Sequence, residues 1–242
     1  MQTLILLILS ICLGSFIPCF AERRQKSISQ KGRSYCMNCG HVLSPKDLIP
    51  IFSYLHCHGR CRYCGTAIPI MLPVVECLSM IVGIILALSA HTFFHGILLL
   101  FCFACLLLLS IDDWQTQHIH DSDLLLLACV LIIDTFFFGS HQWLSQLIGA
   151  CLVSLPLLVI SHFWPNALGN GDGLFMAITG FYLGYSDITT AFLIGTLSAL
   201  CYALVLLIRN KASVKTALPL IPFLSTGVLI TILAENIFFI IN

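Results

Sequence analysis

Long apolar runs alternate with short polar segments along almost the whole chain. A helix needs about 20 largely apolar residues to cross a bilayer, and runs of that kind recur eight times. The predicted spans are residues 3–20, 70–91, 94–111, 124–140, 145–163, 173–186, 189–208 and 218–240. The pattern predicts an all-α, polytopic membrane protein with about eight transmembrane helices.

The largest polar segment lies between the first two predicted spans. We therefore expect three parts: a first transmembrane helix over residues 1–20, a loop domain over residues 21–69 and a seven-helix membrane domain over residues 70–242. The composition agrees, since the chain is 59% hydrophobic and 9% charged, whereas soluble domains carry about 25% charged residues.

The basic residues predict the orientation of the chain. All 11 Lys and Arg residues follow either the first or the seventh predicted span, and with eight spans these two loops share one side. The positive-inside rule makes that side cytoplasmic and places both termini outside. Segment 209–215 is expected to anchor this topology. Because the basic residues follow the first apolar run and none precedes it, a retained helix is favoured over a cleaved signal peptide.

The loop domain carries two Cys-x-x-Cys pairs, Cys36 with Cys39 and Cys61 with Cys64, separated by 21 residues. Four thiolates at this spacing are typical of a tetrahedral zinc site. A zinc site whose four positions are all filled by protein ligands is structural. The metal would fold a segment that is too small to build its own core. The sequence therefore predicts a structural zinc ion and no catalytic role for the metal.

The residues around these pairs refine that prediction. Gly40 and Gly65 each follow a pair and suit the tight turn of a chelating knuckle. Cys57, His56 and His58 are alternative ligands, but none has a partner at Cys-x-x-Cys spacing. Reduced thiols without a metal are the remaining alternative.

Two carboxylates are placed to act together. Asp113 ends the third predicted span, and Asp172 follows Gly169 and Gly171 where the sixth begins. The predicted topology puts both acids at the same depth on the same face, where an ionisable group is a functional candidate. Asp172 at a helix N-terminus is predicted to be the mostly ionised member of an acid–base pair, and Asp113 at a helix C-terminus the mostly protonated one.

The remaining polar residues near the span ends have simpler interpretations. Asp112, Asp121 and Asp123 are expected to be solvated loop residues, and Asp187 and Glu235 to be solvated or interfacial. Interfacial positions are expected for His91, His95, His141 and His162.

Taken together, these motifs resemble the type IV prepilin peptidase family, the bacterial membrane aspartic proteases. The similar segments are "LGSFIPCFAERR" from Leu13, the paired Cys-x-x-Cys loop, "LPVVECLS" around Glu76, "DWQTQHIHD" from Asp113, "GNGDGLF" around Asp172 and "LIPFLSTG" from Leu220. Two positions depart from the family pattern: His120 stands where Pro is usual, and Leu174 where Lys is usual.

The resemblance implies a function. Asp113 and Asp172 would be the catalytic pair, with Gly169, Gly171 and Glu76 as supporting or substrate-binding residues. The substrates would be prepilins or pseudopilins, cut after a Gly on the cytoplasmic side of the bacterial inner or plasma membrane. Many members then methylate the new N-terminus with S-adenosylmethionine, an activity tied to the zinc-bearing loop. Membrane lipid is the expected surrounding, and no nucleic-acid partner is expected.

Three other functions fit parts of the pattern. A proton-coupled transporter also uses intramembrane acids, but it would show internal repeats and acids near the midplane. A non-catalytic pilin assembly scaffold would explain the two departures from the family pattern. A methyltransferase without peptidase activity would need neither Asp113 nor Asp172. The sequence leaves the individual substrate and the oligomeric state open.

Overall fold

The computed structural model describes residues 2–30, 32–90, 92–139, 142–164, 169–209 and 218–241. Within these ranges the chain forms α-helices, one short 3-10 helix and two isolated β-bridges, so the all-α prediction is confirmed. The α-helices are α1 (Gln2–Gln25), α2 (Phe52–His56), α3 (Met71–Ser89), α4 (Phe93–Thr116), α5 (Asp121–Phe138), α6 (Trp143–Leu152), α7 (Ser154–Phe163), α8 (Asn170–Ile208) and α9 (Ile221–Ile241).

Among the residues that the structure describes, five helical stretches are long and apolar enough to cross a membrane, so the chain is a multi-pass membrane protein. They are Gln2–Gln25, Met71–Ser89, Phe93–Thr116, Trp143–Phe163 and Asn170–Ile208. The predicted span 145–163 covers most of α6 and all of α7, and the predicted spans 173–186 and 189–208 correspond closely to the two helical segments of α8 that meet at the break at Gly184. The predicted number of eight spans therefore stays a prediction.

The chain divides into two compact units, Met1–Leu88 and Ser89–Asn242. In the first unit α1 packs closely on α3 through small residues. A Cβ atom added to Gly14 would overlap the side chain of Ser79, and one added to Gly83 would overlap that of Ser10. Close approach over small residues is a common way for apolar helices to associate, because dispersion contacts replace the hydrophobic driving force in lipid.

The second unit depends on a break in α8. Gly184 has φ 77° and ψ 179°, a conformation that residues with a Cβ rarely adopt. A straight helix of 39 residues would be about 58 Å long. The break instead reverses the direction of α8. The ring of Tyr202, in the second half of α8, lies 5.6 Å from the ring of Trp114 near the C-terminus of α4. Both ends of α8 therefore reach the same end of the unit.

Helices α6 and α8 approach each other through glycine. A Cβ atom added to Gly149 would lie 2.5 Å from the carbonyl oxygen of Gly180, and one added to Gly180 would likewise overlap the backbone of Gly149. This contact holds the first half of α8, which begins with Asn170, against its neighbours. Most of the predicted anchor segment 209–215, together with His91 and His141, lies outside the described residues.

Candidate active site and metal centre

The two candidate carboxylates lie at one end of the second unit, in the last turn of α4 and the first turn of α8. Asp113 is 7% exposed and Asp172 is 8% exposed. The charge of Asp113 acts on Asp172, so the two carboxyl groups interact electrostatically. Helices that are distant in sequence thus bring the two acids into one buried site.

Each carboxyl group also accepts a hydrogen bond from the backbone. The N–H of Ile221, the first residue of α9, donates to Asp113 Oδ2 over 3.0 Å. The backbone of Gly169 donates to Asp172. Asp113 therefore also lies at a helix N-terminus. The prediction that Asp113 is the mostly protonated acid rested on its position at a helix C-terminus, and this difference between the two acids no longer holds. The sequence could not show this, because it depends on where α9 packs.

Gly171, just before Asp172, allows the start of α8 to lie close to the loop that follows α4. A Cβ atom on Gly171 would lie 2.8 Å from Ile119 Cδ1, so the Gly-x-Gly-Asp segment packs on the loop after α4. Asn170 Oδ1 accepts a 2.7 Å hydrogen bond from Ser161 Oγ at the end of α7. These contacts hold the start of α8 from both sides, and pattern analysis missed Ile119, Ser161 and Asn170.

The acids next to the candidate pair are not all solvated, so the expectation for Asp112 and Asp123 is wrong. Asp112 is 1% exposed, and Asp123 is buried too. His120 Nδ1 lies 3.9 Å from Asp112 Oδ2, and ligand atoms of Asp112, His120 and Asp123 all lie within 4.8 Å of one another. Burial comes from the packing of α4 against α5, which turns these side chains inward. Asp121 is exposed, as expected.

His95, expected at a membrane interface, is buried within the protein. Its Nε2 lies 3.7 Å from Asp134 Oδ1. The hydroxyl of Tyr182 donates to Asp134 Oδ2 over 2.8 Å. These three residues form a polar cluster between α4, α5 and α8. His95 precedes Asp113 by 18 residues of α4, which is about 27 Å along the helix, so this cluster lies far from the candidate active site.

The loop of the first unit folds into two matching knuckles. The N–H of Cys36 donates to the carbonyl of His41, and the N–H of Cys61 donates to that of Thr66. Gly40 has φ +69°, as the predicted turn requires, and the equivalent Gly65 has φ +73°. Isolated bridges between Tyr35 and Val42 and between Arg60 and Ala67 close the two hairpins.

The four cysteines of the knuckles meet in one cluster. The sulfur atoms of Cys36, Cys39, Cys61 and Cys64 all lie within 4.8 Å of one another, and the Sγ atoms of Cys36 and Cys64 are 3.8 Å apart. A tetrahedral zinc ion with Zn–S bonds of about 2.3 Å places its ligands about 3.8 Å apart. This four-cysteine cluster therefore fits a zinc ion.

Hydrogen bonds lower the pKa of two of the four cysteines in the cluster. The pKa of Cys64 is lowered to about 6, chiefly by hydrogen bonds with the side chain and the backbone of Thr66 and then by one with the side chain of Asn38. Backbone hydrogen bonds from Cys39 and Asn38 lower the pKa of Cys36. A thiolate is the form that binds metal. Asn38 also donates to Thr66 Oγ1 over 2.6 Å and so joins the knuckles.

The loop meets α3 through Glu76. Its Oε2 accepts a 2.7 Å hydrogen bond from the N–H of Ile51. Ile51 has φ 64°, which is unfavourable for a β-branched residue. Glu76 thus holds a strained loop residue next to the start of α3, within the first unit.

Comparison with known proteins identifies the chain. The model of the bacterial peptidase A24 N-terminal domain matches residues 8–90, and that of the type IV leader peptidase family matches residues 100–204. The chain belongs to the type IV leader peptidase family. The two matches cover the loop with its cysteines and the region with both candidate carboxylates, so the sequence-based identification is confirmed.

The relatives share one name. The prepilin leader peptidase/N-methyltransferase of Bacillus subtilis (strain 168) is 28% identical over 228 residues, which cover 92% of this chain and 90% of the relative. The protein of that name from Burkholderia pseudomallei (strain 1026b) is 31% identical over 207 residues, covering 81% of this chain and 65% of the relative. The one from Myxococcus xanthus (strain DK1622) is 27% identical, covering 87% and 65%. No solved structure matches the chain.

Proposed function

We propose that this protein is a membrane-embedded aspartic endopeptidase that removes the leader peptide of type IV prepilins or pseudopilins. Asp113 and Asp172 are its catalytic carboxyl groups. The observation that carries the proposal is their shared site, in which two buried, interacting carboxyls from α4 and α8 each accept a backbone N–H. The family match supports the same activity.

The chemistry follows from two close carboxyl groups that share one proton. The ionised carboxylate takes a proton from a water molecule, which attacks the scissile carbonyl carbon. The protonated carboxyl then gives its proton to the departing amine, so the pair ends with one proton, as it began. The N–H groups of Ile221 and Gly169 orient the acids throughout, while Gly171 lets the start of α8 approach Ile119.

The four cysteines would hold a structural zinc that folds the loop domain 21–69, and residues 70–242 would carry the peptidase. In the proposed topology eight spans cross the bacterial inner membrane. The acid pair faces the cytoplasm, where the prepilin is cut after a Gly. The name shared by the relatives supports a second step, methylation of the new N-terminus with S-adenosylmethionine. The zinc ion has no part in either chemical step.

A cleavage assay tests the proposal. The protein is co-expressed with a prepilin in a host that lacks its own peptidase, and the mass of the pilin N-terminus is measured. Asp113→Asn and Asp172→Asn should each lower cleavage by about 10²–10⁴-fold, since each removes a proton-transfer group. An added methyl mass on the cleaved pilin reports the second activity in the same spectrum.

Asp187→Asn is the matched control, because it makes the same chemical change at a half-exposed residue near the Gly184 break. This variant should cleave like wild type. If the wild-type protein leaves several different prepilins uncut, the peptidase proposal is refuted, and a pilin assembly scaffold or a proton-coupled transporter is favoured. Retained cleavage in either catalytic variant would refute the assignment of the pair.

A further inference from the structure

The second unit contains a group of metal-ligating side chains in addition to the candidate catalytic pair. It consists of Asp112 near the end of α4, His120 at the N-cap of α5 and Asp123 in the first turn of α5. One ligand atom of each residue lies within 4.8 Å of the other two. The two acids come from different helices, so the packing of α4 against α5 creates this Asp–His–Asp cluster.

Both acids of the Asp–His–Asp cluster are buried. Asp112 is 1% exposed and Asp123 is 7% exposed. Water and salt screen exposed acids, but they screen buried ones much less. Two carboxylates held close together in a buried site repel each other, and a cation between them relieves that repulsion. Burial therefore distinguishes this cluster from the acidic groups that are common on protein surfaces.

The distances within the cluster fit a single bound ion. Oxygen and nitrogen ligands bound at about 2.1 Å from one metal ion lie about 3.0–4.2 Å from each other. His120 Nδ1 lies 3.9 Å from Asp112 Oδ2, which is within that range and too long for a hydrogen bond. Small side-chain rotations would bring a carboxylate oxygen of Asp123 to the same ion.

His120 supplies a nitrogen ligand and also an entry path. Its side chain is 46% exposed, so an ion can reach the buried carboxylates from solvent, and water can complete the coordination. The hydroxyl of Ser122 donates to Asp123 Oδ1 over 3.4 Å and helps to orient that carboxylate, as outer-shell partners of metal ligands do. The cluster thus combines converging ligands, an outer-shell partner and access for the ion.

We propose that Asp112, His120 and Asp123 bind a divalent transition metal ion such as Mn²⁺, which joins the end of α4 to the start of α5. Two carboxylates and one imidazole suit Mn²⁺, whereas the four thiolates of the cysteine cluster suit Zn²⁺. Because Pro is usual in the family at the position of His120 and its side chain has no ligand atom, this ligand set is particular to the present chain. The proposal requires neither the cleavage nor the methylation of a prepilin.

Titration with Mn²⁺ tests the site directly. Electron paramagnetic resonance of the purified, tag-free, zinc-loaded full chain distinguishes bound from free Mn²⁺. About one Mn²⁺ should bind per chain while the zinc content stays unchanged, because thiolates disfavour Mn²⁺. Pulsed spectra of the wild type should show coupling to one ligated imidazole nitrogen, a readout that needs no variant. Saturating Mn²⁺ should also raise the melting temperature, since the ion binds the folded chain.

Two substitutions test the ligands. Asp123→Asn and His120→Arg should each weaken Mn²⁺ binding at least about tenfold, since the loss of even an outer-shell partner costs about 10–100-fold in affinity. His120→Arg keeps a positive charge beside Asp112 but cannot bind a metal ion, so it separates metal binding from an ion pair between these two residues. Because His120 is exposed, this variant should fold, and its zinc content and its melting temperature without Mn²⁺ verify that.

Asp121→Asn and His118→Gln are the matched controls. They change an acid and a histidine at exposed positions of the same segment that are not part of the cluster. Both should bind Mn²⁺ within about twofold of wild type. Absence of binding at millimolar Mn²⁺, absence of the nitrogen coupling, wild-type affinity in His120→Arg, or equal weakening in Asp121→Asn would each overturn the proposal. Mn²⁺ binding by a chain that cuts no prepilin would refute the peptidase proposal and leave this site standing.

Discussion

The backbone N–H of Ile221 donates a 3.0 Å hydrogen bond to Asp113 Oδ2, although the two residues are 108 positions apart in the chain. The bond joins the C-terminus of α4 to the N-terminus of α9. It places one candidate catalytic carboxyl at a helix N-terminus, where free N–H groups stabilise negative charge. Helix α9 thus forms part of the acid site although it carries neither acid.

Removal of that N–H should slow cleavage. Ile221→Pro deletes the donor, and proline is tolerated at the first position of a helix. We expect cleavage to fall by about tenfold or more, the range for a hydrogen bond to a charged group. Cleavage kinetics at several pH values provide the measurement, and the profile of the variant should be displaced from that of wild type.

Ile221→Val controls for lost packing, because it keeps the N–H and removes one methylene from a fully buried side chain. Its pH profile should match wild type. A Val variant that is as impaired as the Pro variant would show that packing, not the hydrogen bond, is what matters at this position.

The contact between Gly171 and Ile119 predicts a compensating pair of substitutions. Gly171→Val should reduce cleavage several-fold, since its Cβ would meet Ile119 Cδ1 at 2.8 Å and push the start of α8 away. Ile119→Ala opens that space, so the double variant should recover part of the loss. A double-mutant cycle on cleavage rates measures the coupling, and strictly additive effects would contradict the contact.

The four-cysteine cluster predicts about one zinc ion per chain, which elemental analysis of the purified protein will measure. Cys39→Ser and Cys64→Ser, one in each knuckle, should lose metal and make the loop sensitive to protease, because the metal folds the loop. Cys57→Ser is the control from the same loop, since its sulfur is not part of the cluster. Loss of zinc in Cys57→Ser, or full retention in Cys64→Ser, would disprove this ligand set.

Asp112 and Asp113 are adjacent and both buried, yet they should respond differently to substitution. Asp112 faces His120, whereas Asp113 interacts with Asp172. Asp112→Asn should therefore retain most of the cleavage activity, while Asp113→Asn should lose it. The same mass assay distinguishes them. Equal loss in both variants would mean that Asp112 also takes part in the chemistry.

Local information was sufficient for several features. The apolar runs predict where helices form, because hydrocarbon requires all backbone groups to be bonded within the segment. The Cys-x-x-Cys-Gly spacing predicts knuckles that the structure contains, with Gly40 and Gly65 at positive φ. Asp113 and Asp172 were selected by their positions at helix ends together with the family motifs, which favour Asp113 over Asp112, and in the structure both are buried and the charge of Asp113 acts on Asp172.

Other features depend on contacts between distant segments. No local pattern marks His95 as buried, since its burial comes from Asp134 on α5. The apolar pattern predicts two spans around Gly184, and the structure has two helical segments there, but only the structure shows that the break at Gly184 turns the second segment back along the first.

The sequence by itself determined the membrane class, the helical composition and the cysteine knuckles, because spacing and hydropathy act over one or two turns, and its family motifs selected the two candidate acids. Only the tertiary structure decided which backbone groups these acids bind, and that the neighbouring Asp112 and the distant His95 are buried. Those relationships depend on how helices pack, since a side chain's partner is set by the neighbouring helix and not by its own.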